Sequence, residues 1–112
     1  MRIVNKTRNA VLAEKAFVAH TLPQRTKGLL GRKNLVRGEG LVIDPCNSVH
    51  TFFMRFSIDV LFVDKNNCVI KTVSNLRPFR ITSVILGSAY VIELPSGTIE
   101  RTNTVASDLL ST

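Results

Sequence analysis

Three ionisable residues, Arg55, Asp59 and Glu93, stand in stretches that otherwise have the composition of apolar strands. A charge inside an apolar sheet is costly unless it is paired or hydrogen-bonded, so these residues indicate a structural network or a polar site. In a network they would fix the strand register. In a site, Arg55 would bind an anion, with Asp59 or Glu93 as acid or base. The pattern favours the network, since structural ion pairs share it.

Cys46 and His50 lie four residues apart, which could make a thiolate nucleophile or half of a metal site. No second pair of ligands follows with metal spacing, so we predict no metal site, a small buried cysteine and a hydrogen-bonded histidine. The ligand-binding candidates are the polar residues scattered through the predicted strands and near the turn at residues 38–40. They are Arg32, Glu39, His50, Arg55, Asp59 and Glu93.

The basic charge is concentrated in the first third of the chain. Residues 1–37 carry nine of the fifteen lysines and arginines and a single acid, a net charge of +8, whereas the remainder carries a net charge of −1. Such asymmetry is typical of proteins with an anionic partner, although a cationic surface without a dedicated partner is the commoner explanation. An anion or nucleic-acid patch would use Arg25, Lys27, Lys33 and Arg37, with backbone amides of the nearby glycines beside them.

Length and composition predict a single domain. A chain of 112 residues with 45% hydrophobic residues can build one core but not two. Two cysteines without an export signal predict free thiols and a cytoplasmic protein. No apolar run is long enough to span a bilayer, so we expect no membrane association, and we expect no tightly held cofactor.

One short helix is predicted over residues 22–30. Thr21 and Gln24 form a capping box, Pro23 suits the first turn, and Gly31 would end the helix in a left-handed conformation. Leu22, Leu29 and Leu30 would share one face.

The rest of the chain predicts strands. Branched and aromatic residues are enriched at residues 41–43, 49–55, 58–63, 68–73 and 90–94, with a hairpin turn at 64–67. On residues 49–55, alternation would place His50, Phe52 and Met54 on one face. Residues 9–20 could form either a helix or a strand. These elements predict a mainly β (α+β) fold, either a small mixed sheet or a partly closed barrel.

An ordered set of motifs resembles the family named domain of unknown function 192. The motifs are RTKGLLGR at 25–32, GEGL at 38–41, PCNSVHTFFMRF at 45–56, IDVLFVD at 58–64 and ELPSGT at 93–98. The resemblance implies a strand-rich domain with a short helix near its start and a strand at residues 16–20, but no reaction. The chain departs from the family pattern at Ser57, at the Asn66-Asn67 turn, and at Asn103 and Ser107, where glycines are usual.

Three functions agree with these features. The first is a module that binds a small anionic ligand or a protein partner through the polar residues among the strands. The second is an enzyme that uses Asp59 or Glu93 in the same pocket, although no set of nucleophile, base and orienting residue is visible. The third, which is not favoured, is nucleic-acid binding through the basic first third, since the chain has no tryptophan for base stacking.

Overall fold

A five-stranded mixed sheet is the main element of the computed structural model, which describes residues 1–112 except for the side chains of Leu22 and Thr26. The strands are β1 (Ile3–Asn5), β2 (Ala10–Ala13), β3 (Lys15–Ala19), β4 (Glu39–Ile43), β5 (Ile58–Val63), β6 (Val69–Leu76), β7 (Tyr90–Pro95) and β8 (Leu110–Ser111). The helices are α1 (Leu22–Lys27) and α2 (Thr98–Thr102). The predicted mainly β fold is therefore confirmed.

The main sheet has the strand order β3-β4-β7-β5-β6, with β3 and β4 parallel and the other neighbours antiparallel. Both of its faces are covered, and each face has its own apolar cluster. All six residues of β5 are buried, which explains why that strand, apart from Asp59, is apolar on both faces instead of alternating. Over the described backbone the sheets do not close into a barrel, so the mixed-sheet form of the prediction is the correct one.

A smaller sheet of order β2-β1-β8 joins the two ends of the chain. The Asp108 carboxylate supports it by accepting hydrogen bonds from Asn5 Nδ2 at 2.9 Å, Arg8 Nε at 3.1 Å and the Val105 amide at 3.0 Å. Burial raises the pKa of Asp108, but the hydrogen-bond donors lower it by more, so the pKa lies below its ordinary value. Asp108 is therefore a structural carboxylate that stabilises the fold in its ionised form.

Helix α1 begins as predicted but ends earlier. The Thr21 hydroxyl accepts a hydrogen bond from the Gln24 amide, and the Gln24 side chain accepts one from the Thr21 amide, which completes the capping box. The predicted end at residue 30 is wrong, because Gly28 adopts φ 48° and ψ −123°, a conformation open essentially to glycine alone. The chain then turns so that Leu29 is buried in the core. The predicted inward position of Leu22 lies outside the described side chains.

The strand predicted at residues 49–55 is not formed. Only His50 makes an isolated bridge, to Ile81, and Phe53 has a left-handed φ of 65°. A few backbone hydrogen bonds join Val49 and Thr51 to residues 79–82. The Thr51 hydroxyl adds to them, since it donates to the Arg77 carbonyl at 2.6 Å and accepts from the Arg80 amide at 3.0 Å. The predicted shared face fails for the same reason, since His50 is exposed whereas Met54 is buried.

The remaining elements follow the prediction closely. Residues 9–20 form β2 and β3 and no helix, as the family resemblance implied. Asn67, Asn103 and Ser107 all have positive φ, at 64°, 56° and 83°, so the departures from glycine are accommodated in left-handed backbone. Strands β1 and β8 and helix α2 were not predicted.

Candidate functional site

Glu93 lies at the centre of the main sheet. It belongs to β7, which is hydrogen-bonded to β4 on one edge and β5 on the other, and it stands opposite Leu41 and Val60. Residues directly opposite each other share a face, so the Glu93 side chain projects into the apolar cluster that contains Ile43 and Val91. Its exposed fraction is 3%. The fold thus holds a carboxyl group rigidly at a buried position.

A cavity of about 190 Å³ opens above Glu93. Its walls come from the end of α1 with the turn after it, from the end of β4, and from the irregular chain between β4 and β5. The lining residues are Arg25, Lys27, Gly28, Leu29, Leu30, Ile43, Pro45, Cys46, Ser48, Val49, His50, Met54 and Glu93. The walls are therefore largely aliphatic, and Glu93 is the single acid in this lining.

The carboxyl of Glu93 lacks an internal partner. Among the residues described, no backbone or side-chain group donates a hydrogen bond to it and no cation forms an ion pair with it. Burial alone raises its pKa from 4.5 to about 7. Near neutral pH the group therefore exchanges between an acid, which can donate, and a carboxylate, which can only accept.

Arg25 contributes a cation to the same cavity. Its Nη1 donates to the Pro45 carbonyl at 3.1 Å, which fixes one end of the guanidinium. Its Nε is buried and finds no partner among the described residues. Arg25 and Glu93 line one cavity, yet they are not within 4.0 Å of each other in the described part of the chain. The site thus keeps a carboxyl group and a guanidinium group apart.

Cys46 and His50 both reach this cavity, as their spacing allowed. The Cys46 Sγ donates to the Ser48 carbonyl at 3.1 Å, and burial raises the pKa of the thiol, opposed by that hydrogen bond and reinforced by Glu93. His50 is exposed and stacks on Phe52 with ring centroids 5.5 Å apart. A raised pKa opposes a thiolate nucleophile. Within the described chain no cluster of three metal-ligating side chains occurs.

Asp59 is buried and hydrogen-bonded to the backbone, which indicates a structural role. It is 1% exposed, and its carboxylate accepts hydrogen bonds from the backbone amides of Asn75 at 2.8 Å, Gly97 at 3.1 Å and Ile99 at 2.8 Å. It stands opposite Leu94, so it lies on the other face of the sheet from Glu93. Asp59 therefore anchors the start of α2 and the end of β6, and the predicted network with Glu93 is not formed.

The other candidates lie outside the cavity. Arg32 Nη2 and Glu39 Oε1 form an ion pair at 3.0 Å, and Arg32 lines a neighbouring cavity of about 280 Å³. A hydrogen bond from the Val36 amide, together with Arg32, holds the pKa of Glu39 below its usual value despite its desolvation. Arg55, Lys33 and Arg37 are exposed. Of the basic patch, Arg25 and Lys27 line the Glu93 cavity.

Sequence reasoning missed the aliphatic wall and Gly28. Leu29, Ile43, Val49 and Met54 were assigned only to the core or to a strand face, and only the tertiary structure shows that they surround an opening. A Cβ at Gly28 would lie 3.9 Å from Glu93 Oε1, an ordinary contact, so the backbone conformation and not a lack of space requires glycine beside the carboxyl. The available signal was the RTKGLLGR motif, whose glycine breaks a helix immediately before two leucines.

These features define a mainly β domain with a cavity between its main sheet and its first helix, and the buried Glu93 is the acid in that cavity. The chain belongs to the family of domain of unknown function 192, described as an uncharacterised ACR, whose model matches residues 3–112.

Relatives and solved structures agree with this assignment. The chain is 31% identical to a UPF0127 protein of Thermococcus sibiricus over 95% of this chain and 71% of that protein. It is 35% identical to a UPF0127 protein of Pyrococcus horikoshii over 85% of this chain and 84% of that protein. A protein of unknown function from Novosphingobium aromaticivorans has the same fold, with a TM-score of 0.88 at 20% identity over 100% of this chain and 84% of that one.

A second solved structure, from Sinorhizobium meliloti and provisionally named a transcription regulator, has a TM-score of 0.80 at 21% identity over 98% of this chain and 89% of that one. None of the helices in the described chain is long and apolar enough to cross a membrane. The comparisons thus establish family and fold, and the family is one of uncharacterised function.

Proposed function

We propose that the protein is a small-molecule-binding module and that the cavity above Glu93 is its binding site. The observation that carries this proposal is the buried Glu93 carboxyl, which faces an opening and has no partner among the described residues. A buried polar group without a partner costs about 1–3 kcal/mol. A ligand that hydrogen-bonds to Glu93 would remove this cost, and the free energy recovered would contribute to its affinity for the cavity.

The first test is thermal unfolding against a panel of small metabolites, followed by a check of where the hits bind. A ligand at one hundred times its Kd adds about 2.7 kcal/mol of stability, a rise of about 10 °C for a domain of this size. A ligand of this cavity should lose its effect in Glu93→Gln and retain it in Glu100→Gln, which alters an exposed acid. A panel without a single hit that depends on Glu93 would contradict the proposal.

The two free cysteines offer an independent test of the binding position. Cys46 lines the cavity, whereas Cys68 lies between β5 and β6, outside its lining. Ligand binding should slow alkylation of Cys46 and leave the rate at Cys68 unchanged, as read by mass spectrometry of the two peptides. Equal protection of both thiols would mean that the ligand stabilises the fold from another site.

A second candidate function is acid–base catalysis in the same cavity. It is favoured by the Glu93 pKa of about 7, which suits a group that gives and takes protons near neutral pH. The chemistry would rest on Glu93, because the Cys46 thiol has a raised pKa. A screen for hydrolase and transferase activities in which the wild type does not exceed Glu93→Gln would exclude it.

Nucleic-acid binding is less favoured. Of the four basic residues predicted for such a patch, Arg25 and Lys27 line the cavity, which leaves Lys33 and Arg37 exposed. The neighbouring Arg32 is paired with Glu39. Its test is an affinity for short duplexes and single strands that falls steeply with salt. We also propose a cytoplasmic location, supported by two cysteines that are both unpaired.

A further inference from the structure

The acidic and the basic groups of the Glu93 cavity lie in different parts of it. Its acid lies at the bottom, on a strand that is buried on both edges. Its two permanent cations, Arg25 and Lys27, stand at α1, and Lys27 is exposed to solvent. A bound molecule therefore meets a buried carboxyl group and two cations.

Two residues of this lining each have a hydrogen-bonding group without a partner in the described chain. The Glu93 carboxyl has no donor and Arg25 Nε has no acceptor among the described residues, although both line the same cavity. The two groups are held too far apart to satisfy each other. A single molecule that carries a donor at one end and an anion at the other would satisfy both at once.

From this arrangement we infer that the ligand is a small amphoteric molecule, an amino acid or a close analogue, whose amine binds Glu93 and whose acidic group binds Arg25. The inference rests on the proposed binding function and specifies its ligand class. A plain amine would have to pass a positively charged rim without a compensating anion, and a plain acid would leave Glu93 without a donor. The aliphatic walls formed by Leu29, Val49 and Met54 suit a short apolar body between the two groups.

The size of the cavity favours a small ligand. Its volume of about 190 Å³ lies below the range of about 300–1,000 Å³ of pockets that enclose drug-sized ligands. A molecule of the size of leucine suits this space better than a nucleotide.

The test uses three probes that share one aliphatic body: leucine, 3-methylbutylamine, which lacks the carboxylate, and 4-methylpentanoate, which lacks the amine. Their affinities are measured by NMR titration for the wild type, Glu93→Gln and Arg25→Met. Arg55→Met serves as the matched control, because Arg55 is an exposed arginine outside the cavity lining. We expect leucine to bind at least about tenfold more tightly than either single-function probe, because each of those probes lacks one charge-assisted hydrogen bond.

The variants then assign each group to its partner. Glu93→Gln should weaken leucine and the amine about tenfold but leave the acid unchanged, whereas Arg25→Met should weaken leucine and the acid but leave the amine unchanged. Arg55→Met should change none of the three affinities. The reverse assignment, or equal affinities for the three probes, would overturn the inference.

Failure of this inference can be separated from failure of the proposed function. If the metabolite panel yields ligands that depend on Glu93 but none that carries both an amine and an acidic group, the site stands and the ligand class is wrong. If the leucine series and other amino acids do not bind, and the panel yields no ligand that depends on Glu93, both proposals fail.

Discussion

Glu93→Gln should make the protein more stable at alkaline pH and leave it unchanged at acid pH. Glutamine has the shape of glutamic acid and stays neutral, so the variant keeps the protonated form of the site at every pH. In the wild type, burial raises the pKa of Glu93 from 4.5 to about 7. The folded state therefore binds more protons than the unfolded state between these values, and stability falls as pH rises from 4.5 to 7 and is constant above.

The difference of pKa gives the size of this effect. A shift of one unit corresponds to 1.36 kcal/mol, so the shift of Glu93 corresponds to about 3 kcal/mol. At pH 8 the variant should exceed the wild type by about 3 kcal/mol, or about 10 °C in Tm, and at pH 4 the two should coincide. Carboxylates such as Asp108 titrate in both proteins and cancel in the difference.

The assay is urea unfolding of both proteins between pH 4 and 9, with Glu100→Gln as the control. The exposed Glu100 should give a profile parallel to that of the wild type. A profile of Glu93→Gln that also runs parallel to the wild type would refute the reasoning, because Glu93 would then titrate normally. That result would mean that the carboxyl is solvated or paired.

Three further changes test other parts of the structure. Asp59→Ala removes the acceptor of three backbone amides and should lower the free energy of unfolding by about 3–5 kcal/mol, as measured by urea unfolding. An Asp59→Asn protein that still folds should bind cavity ligands normally in a ligand titration, since Asp59 lies on the opposite face of the sheet. Because the pKa of Asp108 is lowered, its stabilisation is complete above pH 3.8 and is lost as pH falls through the folded pKa. The protection factors of the β1 amides should therefore fall in acid, and Asp108→Asn should show about tenfold faster amide exchange already at neutral pH. Gly28→Ala should lower the free energy of unfolding by about 1–3 kcal/mol, because alanine does not adopt φ 48° with ψ −123°, and a smaller loss in thermal unfolding would argue against this turn.

The sequence predicted the elements whose formation is local. The capping box at Thr21 and Gln24 acts within one helical turn, so it located the start of α1 correctly. Residues 58–63 are apolar and mostly branched or aromatic except for Asp59, and they were correctly assigned to a strand. Residues 49–55 have strand composition, but the Thr51 hydroxyl bonds to the backbone of residues 77 and 80, and that distant contact is not visible in a local pattern.

The candidate site was predicted only in part, for a related reason. Glu93 and His50 were named as candidates because polar residues are unusual among apolar ones, and the cavity contains both. The assignment of Asp59 and Glu93 to one network was wrong because their faces depend on the pairing of β5 with β7: Asp59 opposes Leu94, whereas Glu93 opposes Val60. Arg25 was named only for the basic patch, and its position against Pro45 depends on where the chain leaves β4.

The floor and the walls of the cavity have unequal mechanical support. Glu93 is held by a strand that is hydrogen-bonded along both edges, whereas Val49 and Met54 belong to irregular backbone. A substitution in the wall can therefore reshape the space without displacing the acid. In evolutionary terms the shape of the cavity is separable from its acidic group, and a designer could alter the space while Glu93 stays fixed.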